Sequence, residues 1–239
     1  RYDVVKVGRY KFNKKLNLAY RLPGCKLADD IFNPETGEIM AKAGEVVSEE
    51  QAIAIQDAGV NEVFVLVSDP ERGEIRHKII ANNTINFKAV SDKNPKMFGL
   101  LPTIYYPNFR FMKELAEECR TQSVEAVAAK YTDRINAIYY VQEVDEVEDE
   151  KPEEKKNREK RKETRIKFVA ACKLFDALLA SDKTQLDEDE RKAIKPIVEK
   201  LNHKHITVDD IVASISTNID LQYGIGTIDN IDHLGNRRV

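Results

Sequence analysis

Apolar positions change their spacing several times along the chain, and each change marks an element. Ile31-Phe32 and Glu38-Ile39-Met40-Ala41 flank Asn33-Pro34-Glu35-Thr36-Gly37. Pro pre-sets φ and Gly tolerates positive φ, so this stretch predicts a turn between two short strands. Ala43-Gly44 punctuates the chain. Ser48-Glu49-Glu50-Gln51 then reads as a capping box, opening a helix that carries Ala52, Ile53 and Ile55 and stops at Gly59. Val63-Phe64-Val65-Leu66-Val67 is an unbroken apolar run, the mark of a buried strand.

Residues 75–106 alternate more weakly (Ile75, Ile79, Ile80, Ile85, Phe87, Val90) and predict further strands. Pro95, Gly99, Pro102 and Pro107 cut them into edges and loops. Helical spacing takes over at about 109–122, with Phe109, Met112, Leu115 and Ala116 on one face. Ser123 caps a second helix through Val124, Val127, Ala128 and Tyr131, and Ile138-Tyr139-Tyr140-Val141 reads as a strand. Helical spacing resumes at Phe168, Ala171, Cys172, Phe175, Leu178 and Leu179, and again at about 187–201. Thr207 caps a final helix through Val208, Ile211, Val212 and Ile215. The fold class expected is α+β, and no repeat of solenoid length occurs.

Composition narrows the function classes. Of 239 residues, 42% are hydrophobic and 33% charged, with 38 Lys+Arg against 41 Asp+Glu and a net charge of −3. With no global basic excess, any contact with nucleic acid must be local. No apolar run reaches the roughly 18–20 residues of a membrane helix. The three cysteines (Cys25, Cys119, Cys172) are far apart and form no CxxC pair. Neither a zinc site nor a disulfide framework is therefore expected, and a reducing cytoplasm fits. The chain opens at Arg1-Tyr2-Asp3 without an initiator Met and stops at Asn236-Arg237-Arg238-Val239, so a piece of a longer polypeptide is expected.

Candidate chemistry is sparse. Residues 1–22 mix Lys6, Arg9, Lys11, Lys14, Lys15 and Arg21 with Tyr2, Tyr10, Phe12 and Tyr20. Such a stretch either meets a phosphate backbone or places its aromatics in a core and its lysines in water. Residues 143–154 hold eight acids and one Lys, and residues 155–167 eight basic residues and two acids. This is either a pair of partner sites or a solvated linker leading into a charged helix. Gly224-x-Gly226 lacks a third glycine at dinucleotide spacing, and His203 and His205 have no third ligand nearby. Cys119 and Cys172 sit at helical apolar positions, as small buried hydrophobes do. No catalytic centre and no metal site can be nominated.

The segment Asp229-Asn230-Ile231-Asp232-His233-Leu234-Gly235-Asn236-Arg237-Arg238 is different. Adjacent arginines can contact phosphates or a guanine edge, and a nearby carboxylate can accept hydrogen bonds from a guanine. A structural Asp–Arg ion pair is the other reading of the same residues. The string GTIDNIDHLGNRRV (226–239) closely resembles the Asp-Asp-Ile-Asp-His-Leu-Gly-Asn-Arg-Arg signature of the bacterial RNA polymerase β-subunit family. RYDVVKVGRYKFNKKL (1–16) resembles a stretch of that family a little earlier in the chain. HITVDDIVASIS (205–216) resembles the helix before the signature in Gram-positive-type members. Together these matches cover about 45 residues. NPETGEIMAKAGEVVSEEQAIAIQDAGVNEVFVLV (33–67) is similar to the small sandwich-barrel hybrid modules of the two large polymerase subunits.

The resemblance implies a piece of the β lobe at its boundary with the protrusion, interrupted by a lineage-specific insertion. It implies a lobe segment at 1–27, a β-rich module at 28–94, a mostly helical insertion at 95–204 with a charged linker at about 143–167, and the lobe end at 205–239. It also implies DNA contacts: Asp232 reading an unpaired guanine of the non-template strand, Arg237 supporting it, and Arg1 and Arg238 contacting the strand. Asn230 departs from the family, which has a second Asp there. In such an assembly the catalytic Mg²⁺ belongs to another subunit, so this piece needs no cofactor and is inactive alone. Its expected partners are the alpha, beta prime, omega and sigma subunits, DNA, and transcription factors on the insertion. The alternative makes the insertion a protein-docking module without nucleic-acid contact.

Overall fold

The computed structural model describes residues 6–139, 152–202 and 205–226. In chain order the first elements are α1 (Lys6–Leu16), α2 (Leu18–Arg21), β1 (Lys26–Leu27), β2 (Ile31–Phe32), β3 (Ile39–Ala41) and α3 (Glu49–Asp57). There follow β4 (Glu62–Asp69), β5 (Gly73–Ile80), β6 (Thr84–Asn86), α4 (Pro95–Phe98), β7 (Thr103–Tyr105) and α5 (Tyr106–Glu118). The last are α6 (Val124–Lys130), α7 (Thr132–Tyr139), α8 (Pro152–Ala180), α9 (Glu188–Asn202) and α10 (Val208–Gln222). Small sheets mixed with many helices make the α+β class expected from the sequence. The chain divides into two units: residues 1–95, 100–106 and 202–239 form the first, and residues 96–99 with 107–201 the second.

All the described strands lie in the first unit. β1, β4 and β5 form an antiparallel sheet with β4 in the middle, and β2–β3 and β6–β7 are two-stranded antiparallel pairs. The turn at 33–37 forms because the Asn33 side-chain oxygen accepts from the Glu35 amide (2.8 Å), while Gly37 takes φ +73°. Ser48 and Gln51 make the reciprocal capping box, and Gly59 ends α3 at φ +85°. A β-carbon on Gly59 would lie 2.1 Å from the Tyr106 ring, so this position needs glycine twice over. Val63, Val65 and Val67 point inward from β4, where period-2 alternation places them, and join Leu18, Leu22, Leu27, Ile55 and Ile79 in one core. On the other face of the sheet the Arg76 guanidinium stacks 3.5 Å from the centre of the Phe64 ring.

Of the basic, aromatic stretch at 1–22, residues 1–5 lie outside the described residues. Lys11 and Lys14 of the rest are exposed, as the solvated reading expects, while the aromatics are not fully buried. Residues 6–21 form α1 and α2, with Tyr10 exposed, Phe12 and Tyr20 half-buried, and Arg9 and Arg21 among the most buried side chains.

The described elements of the second unit are helical. Phe109, Phe111, Met112, Leu115 and Ala116 bury one side of α5. Ser123 caps α6 by accepting from the Ala126 amide, as its sequence predicts. Phe168, Val169, Ala171, Cys172, Phe175 and Leu178 of α8, with Ile194, Ile197 and Leu201 of α9, are buried as well. Cys119 and Cys172 are buried free thiols, and burial raises the pKa of both.

Two local readings change here. Ile138 and Tyr139 belong to α7, not to a strand, because Ile135 and Tyr139 fall one helical turn apart and the Tyr139 ring meets Phe168 edge-on at 5.4 Å. Residues 140 and 141 lie outside the described residues. α8 begins at Pro152, sixteen residues before its first periodic apolar position, so the basic half of the charged stretch is helix. Proline suits the first helical turn, Glu, Lys and Arg are good helix formers, and Glu163 pairs with Lys167 at 2.6 Å one turn on.

Candidate nucleic-acid interface

The four residues expected to contact DNA, Arg1, Asp232, Arg237 and Arg238, lie outside the described residues. What the structure describes is the chain that precedes residues 227–239. It comprises α10, which ends five residues before 227, and the elements that α10 grips.

Two buried ion pairs hold α10. Arg9 of α1 donates through both terminal nitrogens to Asp210, at 2.6 and 3.0 Å, and the two side chains are 2% and 0% exposed. Asn82 donates to the same carboxylate at 2.9 Å, and the Thr207 amide donates to it at 2.9 Å as half of a second capping box. Burial pushes the Asp210 carboxyl up. The hydrogen bonds from Arg9, Asn82 and Thr207 together outweigh burial, and the net shift is below the ordinary carboxylate value.

Ten residues on, Asp220 accepts from Arg21 at 2.7 Å and lies 2.6 Å from the His77 ring nitrogen Nε2. Arg21 also donates to the Leu16 carbonyl at 2.7 Å and the Ile80 carbonyl at 2.6 Å. Burial lowers the pKa of Arg21, and Asp220 opposes that shift. Ser216, between the two aspartates, accepts from the Ile80 amide at 2.9 Å.

The forked Arg9 guanidinium on Asp210 accepts one geometry only, and Arg21 ties Asp220 to the Leu16 and Ile80 carbonyls, so together they fix the register of α10 against α1 and β5. The chain leaving α10 is equally constrained. Tyr223 packs on His77 at 5.1 Å, Ile225 is a buried member of the core, and Gly224 and Gly226 take φ of +74° and +78°. Residues up to 226 are thus held to the body of the first unit.

Arg9, Arg21, His77, Asp210 and Asp220 were not foreseen as a cluster. The available signal was faint: Asp210, Ala213, Ser216 and Asp220 recur at helical spacing on a face that carries no large apolar residue. Elsewhere, His205 is exposed and His203 lies outside the described residues. Among the described residues no group of three or more His, Cys, Asp or Glu could hold a metal ion. No described helix is long and apolar enough to cross a membrane. The second unit holds an open cleft of about 330 Å³ lined by Asn136 and Tyr139 of α7 and by Asn157, Lys160, Arg161 and Arg165 of α8.

Residues 115–239 match the family described as RNA polymerase Rpb2, domain 2. The chain belongs to this family. Along its whole length it is 34% identical to the DNA-directed RNA polymerase subunit beta of Clostridioides difficile (strain 630) and covers 14% of that protein. It is also 34% identical to the Clostridium acetobutylicum subunit, covering 13% of it, and 32% identical to that of Caldicellulosiruptor bescii, covering 14%. The chain thus spans about one seventh of the length of these curated relatives. The family and the relatives together support a fragment of a bacterial RNA polymerase β subunit, as the motifs at the two ends of the sequence implied.

Proposed function

We propose that this chain works as part of the β subunit of bacterial DNA-directed RNA polymerase, in DNA-templated RNA synthesis. It contributes structure and non-template-strand contacts, and the catalytic magnesium is held by another subunit. The chain alone has no nucleotidyltransferase activity. Its partners are the alpha, beta prime, omega and sigma subunits and DNA, and its compartment is the cytoplasm.

The observation that carries this reading is the Arg9–Asp210 pair. It joins the two stretches that resemble the β lobe, 1–16 and 205–216, although 201 positions separate the residues. This supports a lobe segment at 1–27 and a lobe end at 205–239, with 28–204 inserted between them. The docking-only alternative draws no support from these relatives, each of which is named as a polymerase subunit.

In the intact polymerase, Asp232→Ala tests the strand contact. Guanine preference at the downstream edge of the bubble should fall by about 1–3 kcal/mol, the worth of one good base contact, while bond formation continues. Equal binding of guanine and non-guanine templates by the unmutated enzyme overturns the assignment.

A further inference from the structure

α10 is amphipathic in the reverse sense. Its inward face carries Asp210, Ala213, Ser216 and Asp220, all buried. Its outward face carries Val208, Ile211, Val212, Ile215 and Ile219, which are between 38% and 75% exposed. Their spacing is i, i+3, i+4, i+7 and i+11, a single stripe about 16 Å long at 1.5 Å per residue. Ile206, just before the helix, is 57% exposed and extends it. A contiguous row of branched aliphatics left in water is the mark of an interface.

The chemistry of the stripe narrows the occupant. α10 contains no Lys or Arg, and Asp209 and Asp210 lie in its first turn. A phosphate backbone, which needs cations, is thereby excluded as the occupant of this face. What fits is another apolar protein surface. The named relatives are about seven times longer than the region this chain matches, so most of such a polypeptide lies beyond residues 1–239. We propose that the outward face of α10 packs against an apolar surface of the β polypeptide outside residues 1–239. The proposal rests on the β-subunit reading. The helix is then clamped on both sides, by ion pairs within and by apolar contact without, at the base of the segment that carries Asp232, Arg237 and Arg238.

The test places the photo-crosslinking residue p-benzoylphenylalanine at position 215 of the full-length β subunit. The polymerase is purified through a tag on another subunit, irradiated, and its crosslinked peptides are mapped by mass. The expected partner is a β peptide outside 1–239. In parallel, an Ile215→Cys thiol should react with maleimide at least roughly tenfold more slowly in the intact polymerase than in denatured enzyme. A crosslink within 1–239, to a second copy or to another subunit overturns the proposal, as does a freely reactive thiol with no crosslink. Failure of the tagged subunit to recover this chain, or recovery without RNA synthesis, refutes the β-subunit reading itself and so stands apart from these outcomes.

Discussion

In the second unit, α8 buries Phe168, Val169, Ala171, Cys172, Phe175 and Leu178, while its charged residues line the surface. In the first unit, α10 buries Asp210, Ser216 and Asp220 and turns Ile211, Ile215 and Ile219 outward. The two helices differ in what fastens them. Apolar burial is non-directional and tolerates small shifts of a helix, whereas a buried guanidinium–carboxylate fork holds only at one register. The pairs that fasten α10, Arg9–Asp210 and Arg21–Asp220, are at most 2% exposed. Lys113–Asp176 and Arg134–Glu114 of the second unit are partly in water, as are the surface pairs Lys26–Glu74 and Arg76–Asp29 of the first. A body whose helix is fastened by buried pairs holds one register, whereas a helix packed by apolar burial can shift slightly at little cost.

The comparison breaks most visibly if the fastening groups are removed. Asp220→Ala leaves the Arg21 charge buried without its carboxylate, which should cost about 3–5 kcal/mol. Phe168→Ala opens a cavity in the second unit and should cost a similar amount, about 3–5 kcal/mol. Hydrogen exchange tells the two apart. The first variant should speed exchange in α10 and β5, and the second in α7 and α8. Uniform loss of protection in either variant would mean that the two units do not open separately.

Acid should sharpen the same contrast. The folded-state pKa of Asp210 lies below its unfolded value, so the stabilisation is fully present above about pH 4, the ordinary aspartate range. It is lost as pH falls from there through the lower folded value. Asp210→Asn should cost about 1.5–3 kcal/mol at pH 7, as for a hydrogen bond to a charged group. The gap between variant and parent should then narrow on acidification from pH 5 to pH 3. Urea midpoints across that range check it, and a gap independent of pH would show that Asp210 titrates as an ordinary aspartate.

Local signals in the sequence carried most of the second unit and the small β module. Ser48, Gly59, Ser123 and Thr207 each act through neighbours a few residues away, so their patterns survive without tertiary information. Residues 6–21 did not yield to that approach. The burial of Arg9 and Arg21 could not be read from the sequence, because each carboxylate partner lies about two hundred positions away. Nothing local distinguishes a buried arginine from a solvated one. Ile138-Tyr139 misled for another reason: β-branched and aromatic residues favour strands, and packing of Tyr139 on Phe168 overrode that preference. On α10 the apolar spacing predicted a helix correctly but left open which face is inward. That was decided by Arg9 and Arg21, whose charges must be matched once buried.

The smallest effect belongs to the second unit's surface. Asp176 accepts from Lys113 at 2.9 Å and lies 3.4 Å from Arg120, yet both cations are about half exposed or more. Two long side chains held in water lose in entropy much of what they gain in attraction, so Asp176→Ala should cost less than about 1 kcal/mol. The loss should shrink further between 0.05 and about 0.5 M salt, where screening falls to a few ångströms. The cost of Asp220→Ala should stay nearly constant over the same range, because counterions do not reach a side chain that is 0% exposed. Urea unfolding of both variants at two salt concentrations makes the measurement. A salt-insensitive loss at Asp176 would mean that this surface pair is set as rigidly as the buried ones, and the contrast between the two units would fail there.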